Sequence, residues 1–559
     1  MLKNKSWERI LVCCDSFKGT LSACDAGRVI EGAFRRAEGK TTTPVEVMHC
    51  PMSDGGDGLL DSMLFPSHSG QSSPYHFKRV DVPIVSGESG EGKSSVPVFL
   101  GPLGEPLNTP KSKSAHRPYF AADVEKRVVV IEMALASGLP MLTDAERNPL
   151  RTTSYGVGQL IKYAIEYVAN ENRRKYGASA DGGVTVFLGI GGSATNDGGI
   201  GALQALGMEL FVKPANGSTK CGKCCANAGM GNGQLLTTPF TGGDLPRLTG
   251  ARLSPACRQM FFRSPSEGPT AAAYCKEVRL ICDVASPLIG PDGATSVFGP
   301  QKCNPAWDKA HRASVLAQLE GGMKNAAACF VRSGLHDCLT RANGVESACV
   351  SPQEREKTLA ALCHTAGGGG AGGMSGFFRY VLRATWMAGT DVVAELLGLP
   401  EKLRHCDCMI TGEGSFDTQT IRFNKTLGRL LQLAVMENMR RRREAAAAGG
   451  NGTKVKMLRD VVVVCGRMSY SGGEEVRRLL LTHMQTTGGP AEREVCAEAI
   501  PRVHLLSLTP RHFPVKEALG NAGVCVGKLM LQFLVDPDFE KKEKSGAASA
   551  VERKMRAKM

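Results

Sequence analysis

Short apolar runs recur along the chain, and each leads through an acidic or glycine-rich turn into a segment with helical spacing. The runs are rich in Val, Ile and Leu and four or five residues long, which is typical of strands buried on both faces. They occupy Ile10–Cys14, Val45–His49, Val128–Ile131, Val184–Leu188, Val278–Cys282, Cys406–Ile410 and Val461–Cys465. Strands that alternate with helices in this way predict an α/β fold with largely parallel sheets.

Polar residues follow these runs at the strand ends, where parallel sheets bind their ligands. The set comprises Asp15, Ser16, Asp54, Asp57, Glu132, Asp283 and Glu413. Each acid taken alone also fits a helix N-cap, and each neighbouring glycine fits a turn. Because so many strand ends carry an acid, the pattern predicts a ligand site at the carboxyl edge of the sheets.

The longest glycine-rich turn is Gly189–Gly199, which directly follows an apolar run. Glycines leave backbone N–H groups accessible, and such groups at the start of a helix bind anions. The turn therefore predicts a phosphate-binding loop, with a plain capped turn as the structural alternative. The expected nucleotide-binding residues are Gly191, Gly192, Ser193, Thr195 and Asn196.

The same turn also fits the Gly-x-Gly-x-x-Ala pattern of dinucleotide-binding proteins, with Glu209 about twenty residues further on. An NAD-dependent dehydrogenase acting on a small hydroxy acid is therefore the alternative function. Two features argue against it: Asp197 would direct negative charge at the pyrophosphate, and Glu209 lies inside an apolar run rather than at its end. A third hypothesis is a non-enzymatic, nucleotide-regulated binding protein.

The composition is that of a globular protein, with 42% hydrophobic and 22% charged residues in 559 positions. The formal charge of +14 is not accompanied by a basic motif interleaved with aromatic residues, so no nucleic-acid partner is expected. No apolar run reaches membrane-spanning length, and no membrane association is expected. The 20 cysteines are expected to be free thiols, and Cys221, Cys224 and Cys225 lack the partner ligands of a zinc site.

Seven segments of the chain stand in the order in which the type I glycerate kinases carry them, and the sequence resembles that family. They are Asp15–Lys18, Asp54–Gly56, Glu132–Ala134, Asn148–Leu150 with Thr152–Gly156, Gly191–Gly199, Phe298–Lys302 and Thr411–Gly414. One departure follows the last segment, where Asn424 precedes Lys425 in place of the family's glycine. The role of Lys425 is therefore left open.

The resemblance implies two α/β domains. One is a Rossmann-like parallel-sheet domain built from both chain ends, expected at 1–78 plus 400–535. The other is an inserted α/β domain expected at 79–399, with an insertion near 213–274. Residues 536–559 are expected to form a flexible C-terminal tail.

The resemblance also implies a kinase that uses ATP and Mg²⁺ to phosphorylate D-glycerate, with 2-phosphoglycerate as the usual product of the family. The residues themselves do not distinguish the 2-hydroxyl from the 3-hydroxyl. The partners are then the small substrate and ATP, and a homodimer is left open.

Such a kinase needs a base for the hydroxyl, a cation for the substrate carboxylate and acids for the metal ion. Asp197 is the expected base, and Lys18 would neutralise the transferring phosphate. Arg151 is the expected carboxylate clamp because a planar guanidinium matches a carboxylate, with an ion pair to Asp144 or Glu146 as the alternative.

The remaining expected site residues bind substrate or metal. Thr152, Asp15 and Ser16 are expected to join Arg151 at the substrate. The expected metal-associated acids are Asp283 and Glu413, with Asp54 and Asp57 as rivals.

The chain ends in Ala557-Lys558-Met559, a small–basic–aliphatic pattern like that of the peroxisomal Ser-Lys-Leu signal. This ending predicts an import receptor as a partner and a peroxisome-type organelle, such as a glycosome, as the location. A chance ending with a cytoplasmic location is the alternative.

Overall fold

The computed structural model describes residues 7–17, 19–38, 45–66, 73–84, 98–109, 117–177, 182–214, 233–262, 274–335, 351–422, 425–447, 456–470, 472–509, 521–536 and 539. They divide into two compact units. The first contains Met1–Asp54, Phe65–Pro74 and Thr390–Met559, and the second contains Gly55–Leu64 and Tyr75–Gly389. The first unit is thus assembled from both ends of the chain.

The elements are numbered here in chain order. The strands are β1 (Arg9–Val12), β2 (Glu46–His49), β3 (Lys78–Asp81), β4 (Tyr119–Asp123), β5 (Val128–Glu132), β6 (Val184–Gly189), β7 (Met208–Val212), β8 (Gln234–Leu235), β9 (Leu248–Leu253), β10 (Cys275–Ile281), β11 (Thr385–Met387), β12 (Cys408–Phe416), β13 (Asp460–Met468) and β14 (Arg502–Ser507).

The α-helices are α1 (Ala23–Glu38), α2 (Leu59–Met63), α3 (Ala134–Ser137), α4 (Tyr155–Tyr176), α5 (Ile200–Ala205), α6 (Pro255–Phe261), α7 (Ala294–Phe298), α8 (Lys309–Arg332), α9 (Pro352–His364), α10 (Met374–Leu382), α11 (Gly389–Leu396), α12 (Leu399–His405), α13 (Thr418–Arg422), α14 (Thr426–Ala447), α15 (Gly473–Thr487), α16 (Pro490–Arg493) and α17 (Ala522–Val535). Short 3₁₀ turns occupy Leu139–Met141, Gly242–Arg247, Pro300–Lys302 and Ala497–Ala499.

The first unit is built on a parallel sheet, which in the described residues has five strands in the order β14-β13-β12-β1-β2. Numbered within the unit, this is the 2-1-3-4-5 order of flavodoxin-like doubly wound sheets. The order reverses between β1 and β12, and folds of this kind bind ligands at the carboxyl ends of the two strands that flank the reversal.

The strands of the first unit are apolar because they are covered on both faces. Every residue of the run Val461–Cys465 is fully buried. Helices α1 and α17 pack against one face, where Ile30, Phe34, Val526 and Phe533 join the core. This burial on both faces explains why the sequence shows continuous apolar runs rather than alternation.

The second unit contains a mixed sheet in the order β11-β10-β6-β5-β4-β3, as far as the described residues show it. Strands β11, β10, β6 and β5 are parallel to one another. Strand β4 is antiparallel to β5, and β3 is antiparallel to β4. Helix α4 lies close to α5, since a Cβ on Gly158 would come within 2.1 Å of the Ala202 carbonyl oxygen.

The segment expected as an insertion is partly built into the second unit. In its described part, β8 and β9 pair with β7 as an antiparallel sheet, and α6 follows. Phe240, Leu245 and Leu248 are buried in the core of the unit. This part therefore contributes to packing as well as to length, while Cys221, Cys224 and Cys225 lie outside the described residues.

The basic run Arg440–Arg443 at the end of α14 is paired with acids. Its members contact Glu437, Glu444, Glu498 and Glu494. Arg441 is buried, and its guanidinium also donates to the carbonyl oxygens that end α12. Its role is structural, because it satisfies carbonyls that the helix end leaves without partners.

Two further properties of the described residues concern the cysteines and the apolar character of the helices. Every cysteine among them is a free thiol, and burial raises the pKa of Cys14 and Cys406 to about 12. None of the described helices combines the length and the apolar character needed to cross a membrane.

Candidate active site

The loop between β6 and α5 leaves backbone donors open. In the described part of the chain, the N–H groups of Gly191, Gly192 and Ser193 donate to no other protein atom, and Gly192 is exposed. The loop itself is held at its edges, where Ala194 N donates to the Ser137 carbonyl and Leu139 N donates to the Gly192 carbonyl. Three consecutive N–H groups without a protein acceptor, on a loop held at its edges, are donors of the kind that bind anions.

The turn at Gly55 and Gly56 lies so close to this loop that two loop positions have no room for a side chain. A Cβ on Gly191 would lie 2.5 Å from the Gly56 Cα, and one on Gly189 would lie 2.7 Å from the Gly55 carbonyl oxygen. Any larger residue at 189 or 191 would push the two turns apart. Gly192 is required for a different reason, since its φ of 68° lies in the left-handed region.

The side chains predicted to bind nucleotide turn into the protein instead. Thr195 and Asn196 are fully buried, and Asn196 Nδ2 donates to Thr295 Oγ1 at 3.1 Å. The Thr195 Oγ1 and Asn196 Oδ1 atoms are buried and have no hydrogen-bond partner in the described structure. The open part of the loop is therefore its backbone.

Asp197 ends this loop and is completely buried. Its Oδ2 accepts hydrogen bonds from Ser154 N at 2.8 Å and Ser154 Oγ at 2.7 Å, and its Oδ1 accepts one from Gly199 N at 3.0 Å. Burial raises the pKa of this carboxyl, and these hydrogen bonds oppose the rise. Because Asp197 is completely enclosed, a substrate hydroxyl could reach it only after local rearrangement, and its predicted role as a base would require such a change.

Lys302 supplies a buried cation to the same loop. It ends the 3₁₀ turn Pro300–Lys302, is 1% exposed, and donates from Nζ to Ser193 Oγ at 2.9 Å and to the Thr195 carbonyl at 2.6 Å. Burial lowers the pKa of Lys302 to about 7, and the negative charge of Asp197 opposes that fall. Lys302 ends the Phe298–Lys302 segment of the family resemblance but is not among the site residues predicted from the sequence.

A second glycine-rich loop, Gly367–Gly373, packs beneath the first and opens α10. Its glycine amides are largely used internally: those of Gly367, Gly368, Gly369, Gly370 and Gly373 all donate to backbone carbonyls. A Cβ on Gly372 would lie 2.2 Å from the Thr195 carbonyl oxygen. This loop therefore serves mainly as a close-packing surface.

Glu132 lies at the carboxyl end of β5 and is buried against the start of α2. Its Oε1 accepts a hydrogen bond from Leu60 N at 2.6 Å. Burial, together with the charges of Asp57 and Asp61, raises the pKa of this carboxyl to about 7, and the backbone hydrogen bonds oppose the rise. Glu132 thus satisfies a helix N-terminus.

The predicted substrate residues of the second unit differ in exposure. The Arg151 side chain is exposed and makes no ion pair or hydrogen bond in the described part of the chain. The acids suggested as its surface partners are engaged elsewhere, Asp144 with Arg147 and Glu146 with Thr143. Thr152, by contrast, is buried, and its Oγ1 donates to the Ala194 carbonyl.

The first unit places a group of polar residues at the point where its strand order reverses. Asp15 and Ser16 follow β1 and are partly exposed, and Asp15 N donates to the Gly412 carbonyl of β12 at 2.9 Å. Glu413 in β12 is partly exposed and accepts a hydrogen bond from Thr420 Oγ1 at 3.1 Å. These residues lie where a doubly wound sheet binds its ligand.

The environment of Glu413 favours its neutral form. Burial and the charges of Asp15 and Asp417 raise its pKa to about 7, whereas Thr420 and the exposed Lys425 oppose the rise. A carboxyl that titrates near neutral pH is suited to accept or donate a proton.

The other predicted metal ligands are separated along the chain. Asp283 is exposed in the second unit, and its Oδ1 accepts from Gly389 N at 2.6 Å. Asp54 is partly exposed in the first unit, and Asp57 is exposed in the second. No group of three or more potential metal ligands was found among the residues that the structure describes. Lys18 lies outside the described residues.

Comparison with known proteins identifies the family. The model of the glycerate kinase family matches residues 10–228 and 265–463. The chain is 30% identical to a glycerate kinase of Bacillus subtilis (strain 168), over 75% of this chain and 80% of that one. It is 27% identical to the glycerate 2-kinase of Escherichia coli (strain K12), over 75% and 80% of the two chains.

A solved structure supports the same fold. A Salmonella typhimurium LT2 protein assigned as glycerate kinase 2 aligns with a TM-score of 0.55 at 24% identity, covering 96% of this chain and 99% of the other. The prediction of two α/β domains is confirmed by this likeness. The family match extends over most of the sequence, and the protein therefore belongs to the glycerate kinase family.

Proposed function

We propose that this protein transfers the terminal phosphate of ATP to D-glycerate and forms 2-phosphoglycerate. The observation that carries the proposal is the set of open N–H groups at Gly191, Gly192 and Ser193, next to the buried ammonium of Lys302. Backbone donors and a nearby positive charge are what a kinase offers to a triphosphate. Membership of the glycerate kinase family supports glycerate as the acceptor.

The position of phosphorylation is the finer part of the proposal. The Escherichia coli relative is named a glycerate 2-kinase, which supports transfer to the 2-hydroxyl. The exposed Arg151 guanidinium fits the substrate carboxylate, because its planar fork can donate two parallel hydrogen bonds.

Mg²⁺ belongs to the proposal because it neutralises charge on a transferring phosphate. This ion is usually held by one or two carboxylates together with phosphate oxygens and water. Asp283 in the second unit and Glu413 in the first are the two candidates for such a carboxylate, and Asp54 and Asp57 are the alternatives. Asp283 is exposed and Glu413 is partly exposed, so neither is fully enclosed by its own unit.

Two measurements test the reaction. Purified protein should release ADP only when ATP, D-glycerate and Mg²⁺ are all present, and a chelator should abolish the release. Phosphorus NMR of the product should then show 2-phosphoglycerate. Failure to release ADP with glycerate would refute the kinase proposal, and 3-phosphoglycerate would refute only the position of transfer.

The dehydrogenase alternative finds no support in the position of Glu209. This residue lies in β7 of the three-stranded antiparallel sheet and pairs with Arg252. A dinucleotide-binding acid would stand at the end of a neighbouring parallel strand, where it reaches the ribose. Titration with NADH should therefore show no binding.

Import into a peroxisome-type organelle is a separate proposal, conditional on Met559 being the natural C-terminus. Ala557-Lys558-Met559 and the rest of the predicted tail, apart from Asp536 and Phe539, lie outside the described residues. A fluorescent protein fused to the N-terminus should concentrate in the organelle, and deletion of the last three residues should release it to the cytosol. Diffuse signal from both fusions would refute the proposal.

A further inference from the structure

Lys302 is unusual because a lysine ammonium is completely enclosed and yet has no acidic partner in contact. In the described residues no carboxylate oxygen lies within 4.0 Å of its Nζ. Enclosing an ammonium group without a contacting counter-charge costs free energy, whereas an apolar side chain of similar length would fill the space without that cost. A buried cation of this kind is therefore a candidate for a functional role.

The contacts of Lys302 span the phosphate-binding loop. Its Nζ donates to Ser193 Oγ at 2.9 Å and to the Thr195 carbonyl at 2.6 Å, so it links two residues of one turn. Ser193 itself carries one of the three open N–H groups. The link thus fixes the end of the segment whose N–H groups donate to no protein atom in the described structure.

The flexibility of the neighbouring glycines explains why a link that orders the loop would favour binding. Gly191 and Gly192 have wide conformational freedom, and ordering them on binding would cost entropy. A loop that is already held in the binding conformation avoids this cost.

We propose that Lys302 is a positioning residue that holds the N–H groups of Gly191, Gly192 and Ser193 in the geometry that binds the nucleotide phosphates. This inference rests on the proposed function, since it takes phosphate as the occupant of the loop. It goes beyond that function by assigning affinity for nucleotide to a side chain that acts through Ser193 and Thr195.

Charge in the surroundings is compatible with this role. Asp197 is the acid whose charge favours the ammonium form of Lys302. Asp197 is in turn held by Ser154 and Gly199, so this more distant counter-charge lies in the same loop that Lys302 contacts.

The test uses ADP as the probe, because its binding is measured without glycerate. Lys302→Met keeps the length of the side chain and removes both hydrogen bonds, and it should weaken ADP binding in calorimetry by about tenfold or more. The KM for ATP should rise by a similar factor, while the KM for glycerate should stay within about threefold. An unchanged Kd for ADP would overturn the proposal.

Combining substitutions at Lys302 and Ser193 distinguishes a positioning role of Lys302 from direct contact of Lys302 with phosphate. Ser193→Ala should weaken ADP binding in the wild-type background and have no further effect in the Lys302→Met background, because both changes remove the same link. Additive effects would instead show that Lys302 acts independently of Ser193 and would overturn the proposal. If Lys302→Met does not fold, Ser193→Ala alone decides, since an unchanged Kd for ADP in that variant would also overturn it.

A matched control is available in the first unit. Lys402 is also buried, and its Nζ donates to the His49 carbonyl at 2.9 Å. Lys402→Met should lower the melting temperature without changing the Kd for ADP, whereas an equal loss of ADP affinity would show a general effect of removing a buried lysine. A wild type that binds ADP but does not phosphorylate glycerate would refute the proposed reaction and leave the Lys302 test intact.

Discussion

Asp197 in the second unit and Glu413 in the first stand in similar sequence contexts, since each lies among glycines at the end of an apolar run. Their surroundings differ. Asp197 is fully buried and its oxygens accept hydrogen bonds from Ser154 and Gly199, whereas Glu413 is partly exposed and accepts one from Thr420. The first carboxylate is used by the fold, and the second remains available to a ligand or a proton.

This difference indicates that an acid at a strand end can have either a structural or a catalytic role. A carboxylate whose acceptor sites are filled by the chain fixes local structure, and its loss should affect shape and catalysis together. A carboxylate that keeps acceptor capacity and titrates near neutral pH should affect catalysis while leaving the fold intact. Substitutions at the two positions can therefore confirm or refute the distinction.

The largest effect is expected from Asp197→Asn. The amide has one acceptor oxygen in place of two, so either the Ser154 donors or the Gly199 N–H would face an NH₂ group. The kcat should fall by about 10²–10⁴-fold, and the melting temperature should fall as well. Kinetics and thermal unfolding of the variant test this.

The Kd for ADP then separates the two roles of Asp197. If the carboxylate mainly shapes the loop, ADP binding should weaken together with kcat. If it is the predicted base, kcat alone should fall. An unchanged kcat would exclude both roles and transfer the base to Glu413, Asp54 or Asp283.

Glu413→Gln should lower kcat by about 10²-fold and leave the melting temperature undiminished. In the wild type, kcat should rise as the pH passes about 7, because the pKa of Glu413 is raised to about 7 and a carboxyl acts in its deprotonated form both as a metal ligand and as a base. The pH profile of the variant should lose this rise. A profile that keeps the rise would show that another group is responsible.

Much of the fold could be predicted because it follows from burial. The runs Val184–Leu188 and Val461–Cys465 lie within β6 and β13, since continuous apolar segments of that length belong to strands covered on both faces. The antiparallel strands β7, β8 and β9 were not predicted. Their segment is rich in turn residues, and the short β8 carries no apolar run.

The site was less predictable because its chemistry depends on which groups are already engaged. The runs Gly189–Gly199 and Gly367–Gly373 look alike in the sequence, but in the described structure the first has three consecutive N–H groups without a protein acceptor, one of them on the exposed Gly192, whereas most glycine amides of the second donate to backbone carbonyls. Lys302 ends one of the seven segments of the family resemblance, but lysine is ordinarily exposed and only the fold shows that this one is buried. The burial of Asp197 and its hydrogen bonds with Ser154 are likewise properties of tertiary structure.

Opposite pH dependence of stability should distinguish Glu413 from Lys302. The pKa of Glu413 is raised from 4.5 to about 7, so the folded state binds more protons between these values and stability falls as pH rises through this window. The pKa of Lys302 is lowered from 10.5 to about 7, so the unfolded state binds more protons above pH 7 and stability rises with pH there.

Each slope should not exceed about 1.4 kcal/mol per pH unit, the value for one proton. Denaturant unfolding of the wild type and of Glu413→Gln and Lys302→Met should show that each variant loses its own slope. The difference from wild type is the relevant quantity, because Glu132 also has a raised pKa and adds to the slope at acidic pH. Parallel curves for a variant and the wild type would contradict the assigned shift.

The smallest effect is expected from Arg151→Lys. This substitution applies the distinction between groups engaged by the fold and groups available to a ligand to a positively charged residue. Arg151 is exposed and makes no ion pair in the described residues, so it should act on a ligand and not on the fold. An ammonium cannot reproduce a bidentate fork, and the KM for glycerate should rise by about tenfold while the melting temperature stays unchanged. Arg147→Lys is the matched control, because Arg147 already pairs with Asp144 on the surface and its replacement should leave the KM unchanged. Equal KM values for glycerate in the wild type and in Arg151→Lys would show that Arg151 does not bind the substrate carboxylate. Another cation of the chain would then have to bind it.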